Sequence, residues 1–359
     1  MRTRTIILTV ALLLNLAGAT PALAQVDTAA ALGYLKSQQN ADGGFGSGFS
    51  PDSTISSTAD AVLAIVAVEA DPATFDQDGN TPVTYLVANA SAAASGGDLA
   101  KLILATVAAG EHPRELGGVD SVAKLESLIG ADGEIGTETD TFVSHTLAVL
   151  ALASAQRPIP DAAVEVIKAA QQESGGWAWD GSAATAADTN STAFALQALL
   201  AAGEESSGEA VTLALAYYKE IQNEDGGWPY QNPSDFGTAT DANSTAVTIQ
   251  AIIAAGQDPA GAGWTTTEGN TPVAALEALQ NESGAFAWQA AIPDDNLLAT
   301  VQALPAVAGK AFPLATMDVG EAAPATMPES GGAAANLALP LLLGGLALAG
   351  GGYALRRRK

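Results

Sequence analysis

The stretch IQNEDGGW, from Ile221 to Trp228, and the segment DANSTAVTIQAIIAAG that begins at Asp241 decide the fold of this chain. The same arrangement recurs over residues 167–203, 276–288 and 35–46, as IKAAQQESGGWAW with DTNSTAFALQALLAAG, as LEALQNESGAFAW and as LKSQQNADGGFG. In each copy an apolar-periodic segment ends in a glycine-rich aromatic turn. In the two fullest copies a polar stretch then leads into an Ala/Leu-rich segment. Recurrence at a regular period is typical of stacked helix pairs.

Cutting the chain at these turns predicts six helix pairs. The second pair lacks the clear repeat motif. It is identified by a shared pentapeptide, because GNTPV occurs at residues 79–83 and again at 269–273, where the sixth pair begins. In both copies the Thr suits an N-cap and the Pro suits the first helical position, and the second pair then turns at Gly96-Gly97. The predicted pairs are 28–39 with 57–69, 82–94 with 98–109, 119–129 with 142–155, 161–172 with 189–202, 207–223 with 243–255, and 272–280 with 296–308.

These pairs predict an all-α chain folded as an α/α toroid. The second helices carry Ala, Leu and Gln at helical spacing and are apolar, so they are expected to form an inner ring. The first helices carry more charge and are expected to form the outer ring. Gln172, Gln222 and Gln280 are predicted to bond backbone groups at a neighbouring helix end.

Composition excludes several classes of function. The chain has no Cys, so neither a disulfide nor a thiolate metal site is possible. It has 39 acidic and 14 basic residues, with a net charge of −25. Such a surface repels nucleic acid and anionic lipid, and it favours cations or neutral ligands.

The N-terminal residues 1–24 predict a signal peptide. Arg2 and Arg4 precede an apolar stretch, and Ala22-Leu23-Ala24 is a suitable cleavage site. The toroid domain is therefore expected to begin at residue 25 and to be exported.

The C-terminal residues predict a stalk and an anchor. Residues 309–332 are Pro/Ala-rich and acidic, and residues 333–359 hold an apolar span followed by RRRK, as a transmembrane anchor would. The pentapeptide 327–331, MPESG, resembles a sortase sorting signal but departs from it at Met327 and Ser330, so a plain anchor is favoured. The domain over residues 25–308 is thus expected at the outer face of the cell membrane or wall.

The repeated residues resemble the QW-type repeat of the squalene-cyclase and prenyltransferase superfamily. The resemblance is strongest at QQESGGWAW and IQNEDGGW and implies an α/α toroid. Members include terpenoid cyclases, protein prenyltransferases, thioester domains and vitamin B12 carriers. The first residues of two inner helices, DTNSTA and DANSTA, look most like those of the B12 carriers. This resemblance implies cobalamin as the ligand.

This sequence lacks residues that the chemistry of the enzymatic members requires. The Asp-x-Asp-Asp acid of class II cyclases is incomplete, because Ile292 stands before Asp294-Asp295 where an Asp is required, and Leu298 replaces the last Asp of a metal-binding Asp-Asp-x-x-Asp. Prenyltransferase zinc sites and thioesters need Cys, which is absent. No metal site and no cofactor are predicted.

Acidic residues recur at the starts of the predicted inner helices, so a ring would gather them at one mouth. They are Asp98, Asp140, Asp188, Asp241 and Asp294 or Asp295. One interpretation is helix capping, because Asp or Asn at an N-cap contributes about 1 kcal/mol. The other is a site for a cation or for a polyhydroxylated or amide-rich molecule, since a capping carboxylate keeps a free oxygen.

The predicted ligand-binding residues combine this ring with aromatic side chains. They are Asp140, His145, Asp188, Asn190, Asp241, Asn243, Asp295, Trp177, Trp228 and Tyr230, with Trp179 and Trp288 as further stacking surfaces. A lone histidine is more often a core or rim group than a ligand.

Two classes of function stay open. The first is a non-catalytic binding or scaffold module for a small polar ligand, for which a partner protein would supply the β-rich lid that the B12 carriers have. The second is an enzyme, either of the cyclase and prenyltransferase type or acting on polysaccharides through Asp188 and Asp241. The last requires two carboxylates about 5 to 10 Å apart. Carboxylates that each bond their own helix N-terminus would favour the binding module.

Overall fold

The computed structural model describes residues 26–235 and 237–321. The predicted signal peptide, the apolar span and the MPESG segment lie outside these residues. The structure places no membrane-spanning helix within residues 26–235 and 237–321. Their α-helices are α1 Thr28–Gln38, α2 Ile55–Ala67, α3 Pro82–Asn89, α4 Gly96–Ala108, α5 Ser121–Glu126, α6 Phe142–Ser154, α7 Asp161–Ala169, α8 Thr189–Ala201, α9 Glu209–Ile221, α10 Ala242–Ala254, α11 Pro272–Glu277 and α12 Leu297–Val307.

The even-numbered helices form a closed inner ring. Each contacts the next even-numbered helix, and α12 contacts α2. The odd-numbered helices lie outside, each on the inner helix that precedes it, so that α3 packs on α2, α9 on α8 and α1 on α12. This arrangement confirms the predicted α/α toroid, and we number its repeats one to six by inner helix.

Burial explains which helices are inside. Nearly every residue of α10 is buried, whereas α7 buries only Ala163 and Ile167 on one stripe. A helix that is apolar on all sides is stable only with neighbours all round, and an amphipathic helix needs one buried face. The predicted assignment of inner and outer helices is therefore confirmed.

Two local predictions are wrong. Gly96 and Gly97 are not a turn; they form the first turn of α4, which Ser95 caps. The all-α prediction also missed a hairpin of β1 Phe286–Gln289 and β2 Ile292–Asn296, paired antiparallel. The hairpin includes the residues directly before α12, so Asp294 and Asp295 lie in a strand rather than at a helix start.

In four repeats, the glutamine six residues before the buried aromatic of the motif joins that repeat to the next one. Its side-chain amide donates to the carbonyl of a glycine in its own turn and to a carbonyl of the next repeat, at 2.8–3.0 Å. The predicted bonding to backbone groups is correct for Gln222 and Gln280. Of these two, only Gln280 reaches a helix end, at the Asp27 N-cap of α1, because the Trp264 carbonyl that Gln222 bonds lies in the loop between α10 and α11. In repeat four the residue is Gln171, and Gln172 instead donates to Ser182 and Thr185 within its own loop.

The last repeat closes onto the first through Gln280. Its amide nitrogen donates to the carbonyl of Asp27 at 3.0 Å, and its oxygen accepts from the Asp27 N–H at 2.9 Å. Gly284, with φ of 87°, lies directly against the backbone of Ala30, where no Cβ fits. The ring is thus closed by side-chain amide bonds and by close backbone packing.

Residues 310–321, which composition assigned to the predicted stalk, pack against the ring. Phe312 donates its N–H to Gln197 at 2.8 Å, and Met317 donates its N–H to the Ser154 carbonyl at 2.8 Å. Val319 is buried, and Arg157 pairs with Glu321 at 3.0 Å. Residues 310–321 are therefore part of the folded domain, because long-range contacts that composition does not report hold them against the C-terminal parts of α6 and α8.

Candidate functional site

The inner helices all begin at the same end of the ring, and a cavity of about 750 Å³ opens there between repeats five, six and one. We call it the mouth pocket. Its aromatic side chains are Tyr34, Phe49, Tyr230 and Trp288, and its polar side chains include Asn190, Asp241, Asn243, Asp295 and Gln302. A volume of this size is typical of small-molecule sites, which measure about 300–1,000 Å³.

The structure brings together about half of the predicted ligand-binding residues. Asn190, Tyr230, Asp241, Asn243 and Asp295 all line the mouth pocket. Asp140, His145 and Trp179 line a separate cleft of about 680 Å³ beside α6.

The prediction that Trp177 and Trp228 stack on a ligand is wrong. Both side chains have no exposed surface, and their indole N–H groups donate to the Ile167 and Tyr218 carbonyls at 2.7 and 2.8 Å. They fill the space between adjacent helix pairs. Trp179, two residues beyond Trp177, is 50% exposed, as a stacking surface requires.

Asp188 and Asp241 are the N-caps of α8 and α10. One carboxylate oxygen of Asp188 accepts the Ser191 N–H at 2.8 Å and the other accepts the Ser191 hydroxyl at 2.7 Å. Asp241 bonds Ser244 in the same way, at 2.8 and 2.9 Å. Each carboxylate is thus held by its own helix N-terminus, which is the capping arrangement.

Tyr230 lies between these two caps. Its carbonyl accepts the Thr189 N–H at 2.8 Å, which fixes it to the start of α8. Burial raises the pKa of Asp188, and hydrogen bonds from Ser191 and from the neighbouring Tyr230 hydroxyl oppose that rise. Burial likewise raises the pKa of Asp241 to about 6, opposed by the Ser244 hydrogen bonds and by the Tyr230 backbone.

The raised pKa of Asp241 predicts a specific pH dependence of stability. Because the folded pKa of about 6 lies above the ordinary value of 3.8, the folded state binds the proton more tightly, and stability is lost as the pH rises through this window. Between about pH 4 and about pH 7, the wild type should lose about 2–3 kcal/mol that Asp241→Asn does not lose. Asn also caps helices, so the variant keeps the cap. Urea unfolding of both proteins measures the difference, and parallel pH profiles would contradict it.

Asp140 serves a neighbouring helix. Its carboxylate accepts the N–H groups of Gly96 and Gly97 at the start of α4, at 2.8 and 3.2 Å, and also the N–H and hydroxyl of Thr137. Burial acts to raise the pKa of Asp140, but these hydrogen bonds outweigh it and lower the pKa. The N-cap of α6 itself is Thr141.

His145 takes the place of a repeated threonine. In four repeats a Thr hydroxyl accepts the N–H of the buried aromatic at 2.9–3.0 Å, with Thr192 and Trp177 as one such pair. In repeat three, His145 Nδ1 accepts the Ile135 N–H at 3.0 Å, and its Nε2 is 3.0 Å from the Ala163 carbonyl. This fixes a neutral tautomer with the proton on Nε2, and burial lowers the pKa of the ring.

The five aspartates that were predicted to start inner helices do not gather in a ring at the mouth. Asp98 lies in the first turn of α4 behind the Ser95 cap. Asp295 accepts from Asn281 and Ser283 at 2.8 and 2.7 Å beside the hairpin. Only Asp188 and Asp241 among the predicted aspartates are N-caps, because Thr, Ser or Asn caps the other inner helices.

Sequence reasoning missed two amide side chains that contact the predicted residue Asn243 or each other, those of Gln250 and Gln302. Asn243 donates to the side-chain oxygen of Gln302 at 2.8 Å, and Gln250 donates to the Gln302 carbonyl at 3.2 Å. The signal was present, since Gln250 and Gln302 are polar residues inside otherwise apolar helices.

The lumen of the inner ring was also unpredicted. It is a cavity of about 40 Å³ lined by all six inner helices and by Phe312, and the Lys101–Asp60 ion pair, at 2.7 Å, lies on its wall. This volume is far below the roughly 300 Å³ at which small-molecule sites begin. Among the described residues, no cluster of His, Asp or Glu could hold a metal ion.

Comparisons with known families and structures agree with this architecture. The family model of the squalene-hopene cyclase C-terminal domain matches residues 131–293, and that of the prenyltransferase alpha-alpha toroid domain matches residues 1–94. No curated protein matches the chain.

Among solved structures, the chain is similar to the type II terpene cyclase MstE from Scytonema, with 12% identity, a TM-score of 0.55, and 78% of this chain and 96% of that one covered. A protein from Actinoplanes is similar over 78% of this chain and 97% of that one, at 14% identity and a TM-score of 0.53. A glycosidase in complex with glucose is similar over 77% and 94%, at 12% identity and a TM-score of 0.50. At these identities the likeness shows the fold alone. With the two family matches and the repeat described above, the chain has the α/α toroid architecture of the squalene-cyclase and prenyltransferase superfamily.

Proposed function

We propose that this chain is a binding module that holds a neutral, polyhydroxylated ligand, a saccharide, in the mouth pocket. The observation that carries the proposal is the convergence of aromatic faces and amide groups on one cavity. Tyr230 and Trp288 are 44% and 38% exposed there, beside Asn190 and Asn243. Aromatic rings offer flat surfaces to the apolar faces of sugar rings, and amides both donate to and accept from hydroxyl groups.

The polar groups of the pocket favour a ligand that donates hydrogen bonds. The side-chain oxygen of Asn190 is buried and has no partner among the described residues. A buried acceptor without a partner is unfavourable unless a ligand or water bonds it. None of the described residues that line the mouth pocket is Lys or Arg, whereas Asp241 and Asp295 are present. Anionic ligands are therefore disfavoured.

A catalytic role has less support. Asp188 and Asp241 each bond their own helix N-terminus, which is the arrangement expected of caps rather than of an acid–base pair. The Scytonema enzyme is a type II terpene cyclase. In this chain the acid motif at Asp294-Asp295 is incomplete, and the described cavity between the six inner helices measures only about 40 Å³.

Export and anchoring belong to the same proposal. A signal peptide over residues 1–24 and an anchor over residues 333–359 would place the binding module outside the cell, where free saccharides are encountered. Cobalamin stays in the proposal as a second ligand to be tested, on the resemblance of DTNSTA and DANSTA to the B12 carriers.

Removing the Trp288 ring should weaken ligand binding by about tenfold or more, the loss that follows when an aromatic contact of about 1.4 kcal/mol or more disappears. Isothermal titration of the full chain in detergent with glucose, linear glucose oligomers, cobalamin and Ca²⁺ tests this. Leu213→Ala is the control, because Leu213 is also exposed but lies on the outer helix α9.

We expect saccharide binding that Trp288→Ala weakens and Leu213→Ala leaves unchanged. Binding of cobalamin or Ca²⁺ alone would contradict the saccharide proposal. Release of shorter oligomers during the titration, lost in Asp241→Asn, would show an enzyme instead.

A further inference from the structure

Exposed aromatic side chains in the described residues are confined to one end of the ring. They are Phe49, Trp179, Tyr230 and Trp288, which are 92%, 50%, 44% and 38% exposed. Three of them are equivalent, because Trp179, Tyr230 and Trp288 each follow the buried aromatic of the motif by two residues. Equivalent positions of successive repeats lie on the same face of a ring, so these three side chains form a row. We call this row, together with Phe49 of repeat one, the aromatic arc.

The loops that carry the arc are joined to one another. Gln231, directly after Tyr230, donates to the carbonyls of Ala186 and Ala187 in the loop of Trp179, at 3.1 and 3.2 Å. Gln289, directly after Trp288, donates in the same way to the carbonyl of Ala239 in the loop of Tyr230, at 3.4 Å. The loops that carry the arc are therefore joined, although its two ends line different cavities.

The arc covers only part of the ring. It runs through repeats four, five, six and one, whereas the described loops of repeats two and three carry no exposed large aromatic. A residue needed to stack helix pairs would recur in every repeat, as the glutamine and threonine contacts nearly do. Large aromatic side chains left exposed on one side of a mouth instead mark an interaction surface.

We infer that the aromatic arc binds an unbranched neutral polysaccharide, which runs from the mouth pocket past Tyr230 to Trp179; this rests on the proposed saccharide function. Adjacent packed helices are about 8–10 Å apart, so neighbouring rings of the arc are separated by a distance that a chain of linked sugars spans and a single sugar does not.

The surroundings favour this occupant over others. The aromatic rings alternate with polar side chains such as Gln231 and Asp180, so the surface is not the continuous apolar patch that a lipid would need. The net charge of −25 disfavours nucleic acid and acidic polysaccharides. Trp179 gives the outer subsite, and the mouth pocket gives the inner one.

The test compares affinity with chain length. Titration of the full chain in detergent with linear neutral glucose oligomers of increasing length should show affinity that rises with length, because linked subsites add to one another. Trp179→Ala should leave the affinity for the shortest oligomer unchanged. It should lower the affinity for the longest oligomer by about tenfold. Trp179→Phe, which keeps a ring, should restore most of that gain.

The outcomes separate the two proposals. If short oligomers bind in the wild type and weaken with Trp288→Ala, but affinity neither rises with length nor responds to Trp179→Ala, the extended site is overturned and the saccharide pocket stands. If no oligomer binds, the proposed saccharide function is overturned, and so is the inference that the aromatic arc binds a polysaccharide. Thermal melting of each variant checks that it is folded, and Leu213→Ala again serves as the control.

Discussion

Replacing Trp228 by alanine should destabilise the folded domain by about 3–5 kcal/mol, the range for removing a large buried aromatic side chain. The ring has no exposed surface, lies edge-on to Tyr218 and Trp264, and donates its indole N–H to the Tyr218 carbonyl at 2.8 Å. The variant loses this packing and leaves a cavity. Urea unfolding followed by circular dichroism measures the loss.

Two further variants make this result specific. Trp228→Phe keeps a ring but leaves the Tyr218 carbonyl without its donor, so it should cost less than the alanine variant. Trp179→Ala removes a ring that is 50% exposed and should change stability by less than about 1 kcal/mol. Equal losses for Trp228→Ala and Trp179→Ala would show that the two tryptophans do not divide into a packing residue and a surface residue.

Replacing Gly284 by alanine should destabilise the domain by about 2–5 kcal/mol by opening the junction between the last repeat and the first. An Ala at φ of 87° is strained by about 1–2 kcal/mol, and its Cβ would overlap the backbone of Ala30, which adds an overpacking term of about 1–3 kcal/mol. The clash involves the backbone of α1 rather than a flexible side chain, so it cannot be relieved by a rotamer change.

Gly269 provides the matched control. Its φ is 89°, nearly the same as that of Gly284, but a Cβ there would meet nothing within 4 Å. Gly269→Ala should therefore show the conformational strain alone. Denaturant unfolding of both variants gives the difference between them, and losses of equal size would mean that the close approach at Ala30 contributes nothing to ring closure.

The sequence predicted the toroid because its repeated features are local. A glycine-rich turn, an aromatic residue and an apolar helix are each visible within a short stretch, and their recurrence predicts the ring. Details that depend on distant contacts were missed. The choice between Gln171 and Gln172 depends on the Ala210 carbonyl, and the packing of residues 310–321 depends on groups such as Ser154 and Arg157.

The candidate site was predicted in part for the same reason. The caps Asp188 and Asp241 follow from local sequence, and Asn190 and Asn243 lie beside them. Which aromatic residues face solvent does not follow, because Trp177 and Trp179 differ only in how the loop between α7 and α8 passes the neighbouring repeat. Likewise, the substitution of His145 for a structural threonine becomes clear only when the Ile135 N–H is seen to bond it.

The central claim is that saccharides bind on the aromatic arc and not at the buried tryptophans, and the indole N–H signals of the five tryptophans test it most directly. In a ¹⁵N-labelled full chain in detergent, titrated with a long linear neutral glucose oligomer, the signals of Trp179 and Trp288 should shift. Those of Trp177, Trp228 and Trp264, whose indoles are bonded to Ile167, Tyr218 and Gln257, should stay in place. Shifts confined to the three buried tryptophans, or no shift in any of the five, would contradict the account.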